Sequence, residues 1–246
     1  MSHAEAEFMA QAIALSWEGY PAPNPRVGCV VVKDGKVVGR GWHVAAGLPH
    51  AEVNALNDAG DLANDADLYV SLEPCRHHGR TPPCTEAILA ANIRRVFVAC
   101  PDPNPVAGGG AEVLREAGIP VEMGVLREEA ERANASWLIA TRRQVPFVSV
   151  KAAVTLDGMI ARPDGSSKWI TGEFAREEGH RLRAEMGAVL VGVNTVLADN
   201  PRLTARVPYV ENQPIRIVID PNRRLSGEEH VFREDGRVLW LVSQGM

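Results

Sequence analysis

Between residues 5 and 142 the chain alternates stretches of helically spaced apolar residues with short β-rich runs. That alternation restricts the fold to a sheet flanked by helices. Phe8, Met9, Ala12 and Ile13 mark a helix over residues 5–17, which stops at Gly19 before the turn-rich Pro21-Ala22-Pro23-Asn24-Pro25. Residues 27–33 and 36–43 are β-rich and are separated by Asp34-Gly35, the two-residue signal of a tight hairpin. Helices are predicted over 50–59, 85–91, 111–117 and, as one long element, 127–142, with strands over 68–72 and 95–100. An α/β sheet covered by helices on both faces is the expected architecture.

The pattern restarts near Arg142-Arg143-Gln144-Val145-Pro146, so a domain boundary is expected at about residue 145, giving units 1–145 and 146–246. The second unit carries strand candidates at 148–154, 188–193, 216–219 and 238–242 and a helix over 173–186. The last strand candidate lies just before Met246, and the unit reads as a domain cut short.

Composition narrows the function classes. With 246 residues, 46% hydrophobic, 23% charged and a formal net charge of −5, the chain is an ordinary globular one with no electrostatic reason to bind nucleic acid or an anionic membrane. A small-molecule partner is expected. The acidic start Met1-Ser2-His3-Ala4-Glu5 is unlike a secretory signal, and the apolar stretch 186–198 is too short to span a bilayer, so a cytoplasmic location is expected. Four cysteines, at 29, 75, 84 and 100, are too few for a disulfide framework, and Cys29 and Cys100 read as structural thiols within strand runs.

The other two cysteines belong to a constellation: His50-Ala51-Glu52, Pro74-Cys75 and Cys84. Helical residues two apart point about 200° away from each other, so His50 and Glu52 can share a site only at the helix tip. Cys84 opens a helix whose N-terminal dipole favours a thiolate. One imidazole and two thiolates make three zinc ligands and leave one coordination position open, which separates a catalytic site from a closed structural one. Two thiolates cancel the formal charge of Zn²⁺, so a general base is needed, and Glu52 is the candidate. His-x-Glu followed by Pro-Cys and a further Cys is the signature of zinc nucleobase deaminases, here with eight residues between the cysteines in place of two.

Asn24-Pro25, Val27-Gly28-Cys29-Val30, His50-Ala51-Glu52-Val53, Leu72-Glu73-Pro74-Cys75, His78-Gly79-Arg80-Thr81-Pro82-Pro83-Cys84 and Asp102-Pro103-Asn104-Pro105 together resemble the bifunctional riboflavin biosynthesis deaminase/reductase family. In that family the long inter-cysteine loop belongs to the pattern, whereas the Ser that usually follows the first cysteine is Arg76 here. The resemblance implies a cytidine-deaminase-like three-layer α/β/α domain, a diaminopyrimidinone substrate carrying a phosphoribosylamino group, and a pocket lined by Asn24, His43, His77, Arg80, Asp102 and Asn104. Arg80 suits the phosphate, since a guanidinium offers paired donors.

Lys151, Thr155-Leu156-Asp157-Gly158, Ser167, Trp169-Ile170-Thr171, Arg183 and Thr195-Val196-Leu197-Ala198-Asp199-Asn200-Pro201 carry the resemblance into the second unit. It implies a truncated dihydrofolate-reductase-like α/β domain that uses NADPH to turn the ribosyl group into ribityl. Ala153, Trp169, Thr195 and Asp199 would contact the cofactor, and Lys151, Ser167, Arg183, Leu203 and Arg206 the substrate. The family continues past the position matching Met246, so an active deaminase, an impaired reductase and a homo-oligomer are expected. The alternatives are a zinc deaminase of another nucleoside or of tRNA, and a zinc-stabilised interaction module without catalysis. The acidic net charge speaks against tRNA, and the intact Glu52 against the module.

Overall fold

The structure is a computed structural model that describes residues 2–208, 210–233 and 236–243, and it divides into two compact units, 2–147 and 148–243.

The first unit opens with α1 (His3–Leu15), capped by a reciprocal Ser2–Glu5 capping box. β1 (Gly28–Lys33) and β2 (Lys36–Trp42) form the expected hairpin, turning at Asp34 and Gly35, both at positive φ. Then follow α2 (Ala51–Ala59), β3 (Asp67–Leu72), α3 (Cys84–Ala90), β4 (Arg95–Cys100), α4 (Gly110–Glu116) and the short strand β5 (Val121–Met123). The sheet order is β2-β1-β3-β4-β5, antiparallel from β2 through β3 and parallel from β3 to β5. α1 packs on one face and α2 and α3 on the other, giving three layers. Val30, Val31, Leu68, Val70, Val96 and Val98 are buried throughout because helices cover both sides of these central strands.

α2 lies directly on the β2 backbone. A Cβ at Gly41 would come within 2.3 Å of both Ala51 O and Ala55 N, so only glycine admits this approach. That contact brings the N-terminus of α2, and with it His50 and Glu52, to the end of the sheet where the parallel strands β3 and β4 finish.

The long helix expected over 127–142 is two helices, α5 (Arg127–Ala133) and α6 (Ala135–Arg143), interrupted at Asn134. The reason is tertiary. Asn134 is buried and pairs with the Arg26 backbone, accepting from its N–H at 2.8 Å and donating to its carbonyl at 2.7 Å, as a non-helical φ of −111° allows.

The second unit holds α7 (Glu173–Met186), β6 (Ala188–Gly192), α8 (Val193–Asp199), β7 (Ile215–Ile219), α9 (His230–Arg233) and β8 (Val238–Leu241), with a parallel sheet in the order β6-β7-β8. α7 keeps the expected bounds. The strand expected over 148–154 is absent: this stretch is irregular, with Val148 and Val150 exposed. A strand exists through its ladder, and among the described residues no strand pairs with this segment. Val193, expected to end a strand, instead opens α8. No helix among the described residues is long and apolar enough to cross a membrane.

Candidate active site

β3 ends at Leu72 and delivers Glu73, Pro74 and Cys75; β4 ends at Cys100 and delivers Asp102 and Asn104. The N-termini of α2 and α3 come to the same place, the crevice beyond the carboxyl ends of parallel strands where α/β proteins bind ligands. A cavity of about 480 Å³ opens there.

His50, Glu52 and Cys75 line this cavity; His50 Nδ1 lies 3.2 Å from the Sγ of fully buried Cys84 and 3.5 Å from Cys75 Sγ, and the three ligand atoms are mutually within 4.8 Å. His50 is the N-cap of α2, so its side chain projects from the helix tip as the spacing argument requires. Its other ring nitrogen faces Thr81 Oγ1 at 3.4 Å, an outer contact that orients a ligating histidine. The helix dipole at α3 was expected to favour a thiolate at Cys84. The first N–H of α3, that of Cys84 itself, points instead at Cys75 Sγ, 3.4 Å away. Hydrogen bonds from Cys84 and His50 hold the Cys75 thiol well below its usual range, while the adjoining Cys75 sulfur and burial push Cys84 up. Together these donors fit a zinc ion, which takes imidazole nitrogen and thiolate sulfur and would draw off the proton the two sulfurs share.

Glu52 sits beside the ligands, 3% exposed, and burial raises its carboxyl to about 7 despite the opposing attraction of His50. A carboxyl so placed can change protonation near neutral pH, as a proton carrier must.

The cavity wall brings together Asn24, His43, His77, Arg80, Asp102 and Asn104. His43 is buried and its pKa is pushed down to about 4 by desolvation, so the ring is neutral. Burial raises Asp102 to about 6, offset in part by the Asn104 N–H it accepts at 2.8 Å. Arg80 is exposed on the inter-cysteine loop across from Gly47. Arg76 lies against Gly109 and donates to the Pro105 carbonyl at 3.4 Å. Cys29 and Cys100 are buried in their strands.

Sequence reasoning missed Glu73. Its buried carboxylate accepts three backbone N–H groups at 3.1 Å each, those of Asp102, Gly109 and Ala111, and so ties the loop carrying Asp102 and Asn104 to the end of β3. A carboxylate directly after a fully buried strand was the available signal, since a buried charge demands partners.

In the second unit the nominated residues form two groups. Thr195 and Asp199 lie one turn apart on α8, with Lys168 3.6 Å from Asp199; the neighbouring Trp169 is 72% exposed and carries the Arg176 guanidinium 4.4 Å from its ring centre. Arg183 and Arg206 converge on Thr204, donating to its carbonyl and its hydroxyl at 3.1 and 3.3 Å, next to buried Leu203. Ser167 is half-buried on the loop before Lys168, and Lys151 and Ala153 lie on the irregular stretch that begins the unit.

A model of the cytidine and deoxycytidylate deaminase zinc-binding region matches residues 2–100, and one of the RibD C-terminal domain matches residues 146–245. The riboflavin biosynthesis protein RibD of Escherichia coli (strain K12) is 44% identical over 252 residues, an alignment covering 96% of this chain and 69% of that protein. The chain belongs to the RibD family. Another member, from Aquifex aeolicus (strain VF5), is 53% identical over 214 residues, covering 87% of this chain and 60% of its own length. Among solved structures, Acinetobacter baumannii RibD superposes with a TM-score of 0.90 at 43% identity, covering 98% of this chain and 70% of that one. A Thermotoga maritima structure, described as a diaminohydroxyphosphoribosylaminopyrimidine deaminase/5-amino-6-(5-phosphoribosylamino)uracil reductase, gives 0.87 at 44%, with the same coverage. The chain spans 60% and 65% of the length of two of its curated relatives in the family.

Proposed function

We propose that the first unit hydrolytically deaminates 2,5-diamino-6-(5-phosphoribosylamino)pyrimidin-4(3H)-one, a step of riboflavin biosynthesis. The observation that carries this reading is the convergence of His50, Cys75 and Cys84, with His50, Cys75 and buried Glu52 lining a cavity sized for a small ligand. A zinc ion held by these three residues supplies, when bound, an activated water for attack on the amino-bearing carbon. Glu52 takes one proton of the attacking water at its carboxylate and gives it to a ring nitrogen, then takes the second from the newly added hydroxyl and gives it to the departing amine, so that the products are a carbonyl and ammonia. Burial serves this role by strengthening the carboxylate's hold on the proton it carries. Asn24, Asp102 and Asn104 orient the pyrimidine and ribose, and Arg80 at the cavity mouth takes the phosphate.

For the second unit, residues 148–243, the reading is NADPH-dependent reduction of the deaminated product's ribosyl group. The exposed Trp169 indole and the α8 face bearing Thr195 and Asp199 offer a surface for the nicotinamide cofactor. Arg183 and Arg206 supply cationic contacts for a phosphorylated substrate. A small phosphorylated pyrimidine is the partner in both halves, and a cytoplasmic homo-oligomer is the setting this reading assumes.

The test is product mass after incubating zinc-loaded protein with the diaminopyrimidine ribosyl phosphate, with and without NADPH, beside Glu52→Gln. Exchange of the amino group for oxygen with release of ammonia, lost in the variant, is expected. Turnover by Glu52→Gln at the parent rate, or none by the parent, refutes the deaminase assignment. A further NADPH-dependent gain of two hydrogens is the signature of the second activity.

A further inference from the structure

Asn24 and His43 line the same wall of the cavity, and the histidine has no polar atom left for a ligand. His43 is 3% exposed; its Nδ1 lies 3.2 Å from the Pro49 carbonyl oxygen and its Nε2 3.0 Å from Asn24 Nδ2. A carbonyl oxygen only accepts, so Nδ1 carries the proton. Nε2 faces Asn24 Nδ2, an amide nitrogen that only donates, so Nε2 is the acceptor and the ring carries its proton at Nδ1. The direction of the whole chain is set by Pro49, whose carbonyl has no proton to give. Asn24 Oδ1 has no hydrogen-bond partner among the described residues, and Asn24 borders the cavity.

We propose that His43 is a positioning residue that locks the Asn24 amide with Oδ1 turned to the cavity, so that this wall selects a ligand presenting an N–H or O–H donor there and refuses a carbonyl or ring-nitrogen acceptor. The inference deepens the deaminase reading and rests on it for the identity of the ligand, an amino-substituted pyrimidine ribosyl phosphate rich in such donors. Without His43 the amide is free to turn, and the wall loses its preference.

The first test needs no substrate. Two-bond ¹⁵N–¹H correlation spectra of the zinc-loaded full chain, labelled at histidine and assigned against His43→Gln, report the tautomer directly. An Nδ1–H ring with an unprotonated Nε2 is expected for His43. An Nε2–H ring, or an imidazolium at neutral pH, overturns the proposal. The second is a double-mutant cycle on the steady-state constants with the diaminopyrimidine ribosyl phosphate. Asn24→Ala and His43→Phe should each raise KM about tenfold, the loss of one hydrogen bond, with kcat within about twofold. In the Asn24→Ala background His43→Phe should add nothing, and a further tenfold would mean that His43 acts independently. If the parent chain does not turn over this compound, the deaminase reading fails, while the spectrum still decides the orientation of Asn24.

Discussion

Replacing Glu73 by Gln tests whether one buried carboxylate holds the Asp102–Asn104 loop in place. Oε1 accepts from Gly109 and Ala111 and Oε2 from Asp102, all at 3.1 Å. Glutamine keeps one oxygen, so two of the three bonds survive without their charge, and its NH₂ then faces the Asp102 N–H, donor against donor. A hydrogen bond to a charged group contributes about 1.5–3 kcal/mol and a neutral one about 0.5–1.5. Two weakened bonds and one lost therefore cost about 4 kcal/mol, within the stability of a typical domain, so the variant still folds. The urea midpoint of the unit containing residues 2–147 should fall by about 2 M for a slope near 2 kcal/mol/M. Hydrogen exchange gives the local reading: the Asp102, Gly109 and Ala111 amides should exchange about 800-fold faster if the whole cost falls on their opening. Exchange at these three amides within about threefold of the parent would refute the assignment, whatever happens to global stability.

Gly41→Ala should be among the most damaging small changes in the first unit, because its Cβ would meet the α2 backbone at 2.3 Å and force the helix off the sheet. A loss of about 3 kcal/mol or more in urea unfolding, with reduced zinc retention, is expected, and parent-like values would contradict the packing argument. Cys84→Ala should release zinc to a competing chelator at concentrations the parent withstands, read by metal analysis, since two ligands do not close a stable site. Asp67 supplies the pH dependence. Burial raises its pKa, but hydrogen bonds from Arg95 and Arg94 more than offset this and leave the folded carboxyl below its unfolded value. Its stabilisation is therefore complete above the unfolded pKa and lost as pH falls through the folded one. Asp67→Asn should cost about 1 kcal/mol at pH 6, the arginines being half exposed, and the gap should close on acidification; a constant gap in urea midpoints would exclude the ion pairs as its source.

Much of this molecule was legible as local pattern. The Asp34-Gly35 hairpin, the helices α1, α2 and α7, and the placing of His50 and Glu52 at a helix tip follow from interactions spanning a few residues, which spacing reports directly. The ligand set was legible for a related reason: only a few side chains bind zinc, and His50, Cys75 and Cys84 stand out among apolar neighbours. β5 escaped notice because three residues are too short to show a period, and its place comes from pairing with β4.

What the tertiary structure alone decided depends on groups far apart in the chain. Asn134 breaks a helix because its amide finds the backbone of Arg26, 108 residues away. Residues 148–154 have the composition of a strand but no neighbour to complete a ladder among the described residues. Glu73 anchors a loop through N–H groups 29 to 38 residues further on, and the helix N–H expected to serve Cys84 serves Cys75 instead. Even the tautomer of His43 is set by the Pro49 carbonyl beside it and the Asn24 amide across the wall. Short-range periodicity encodes which elements form, whereas the direction of a hydrogen bond or the place of a proton exists only once folding has removed water and brought distant donors and acceptors together.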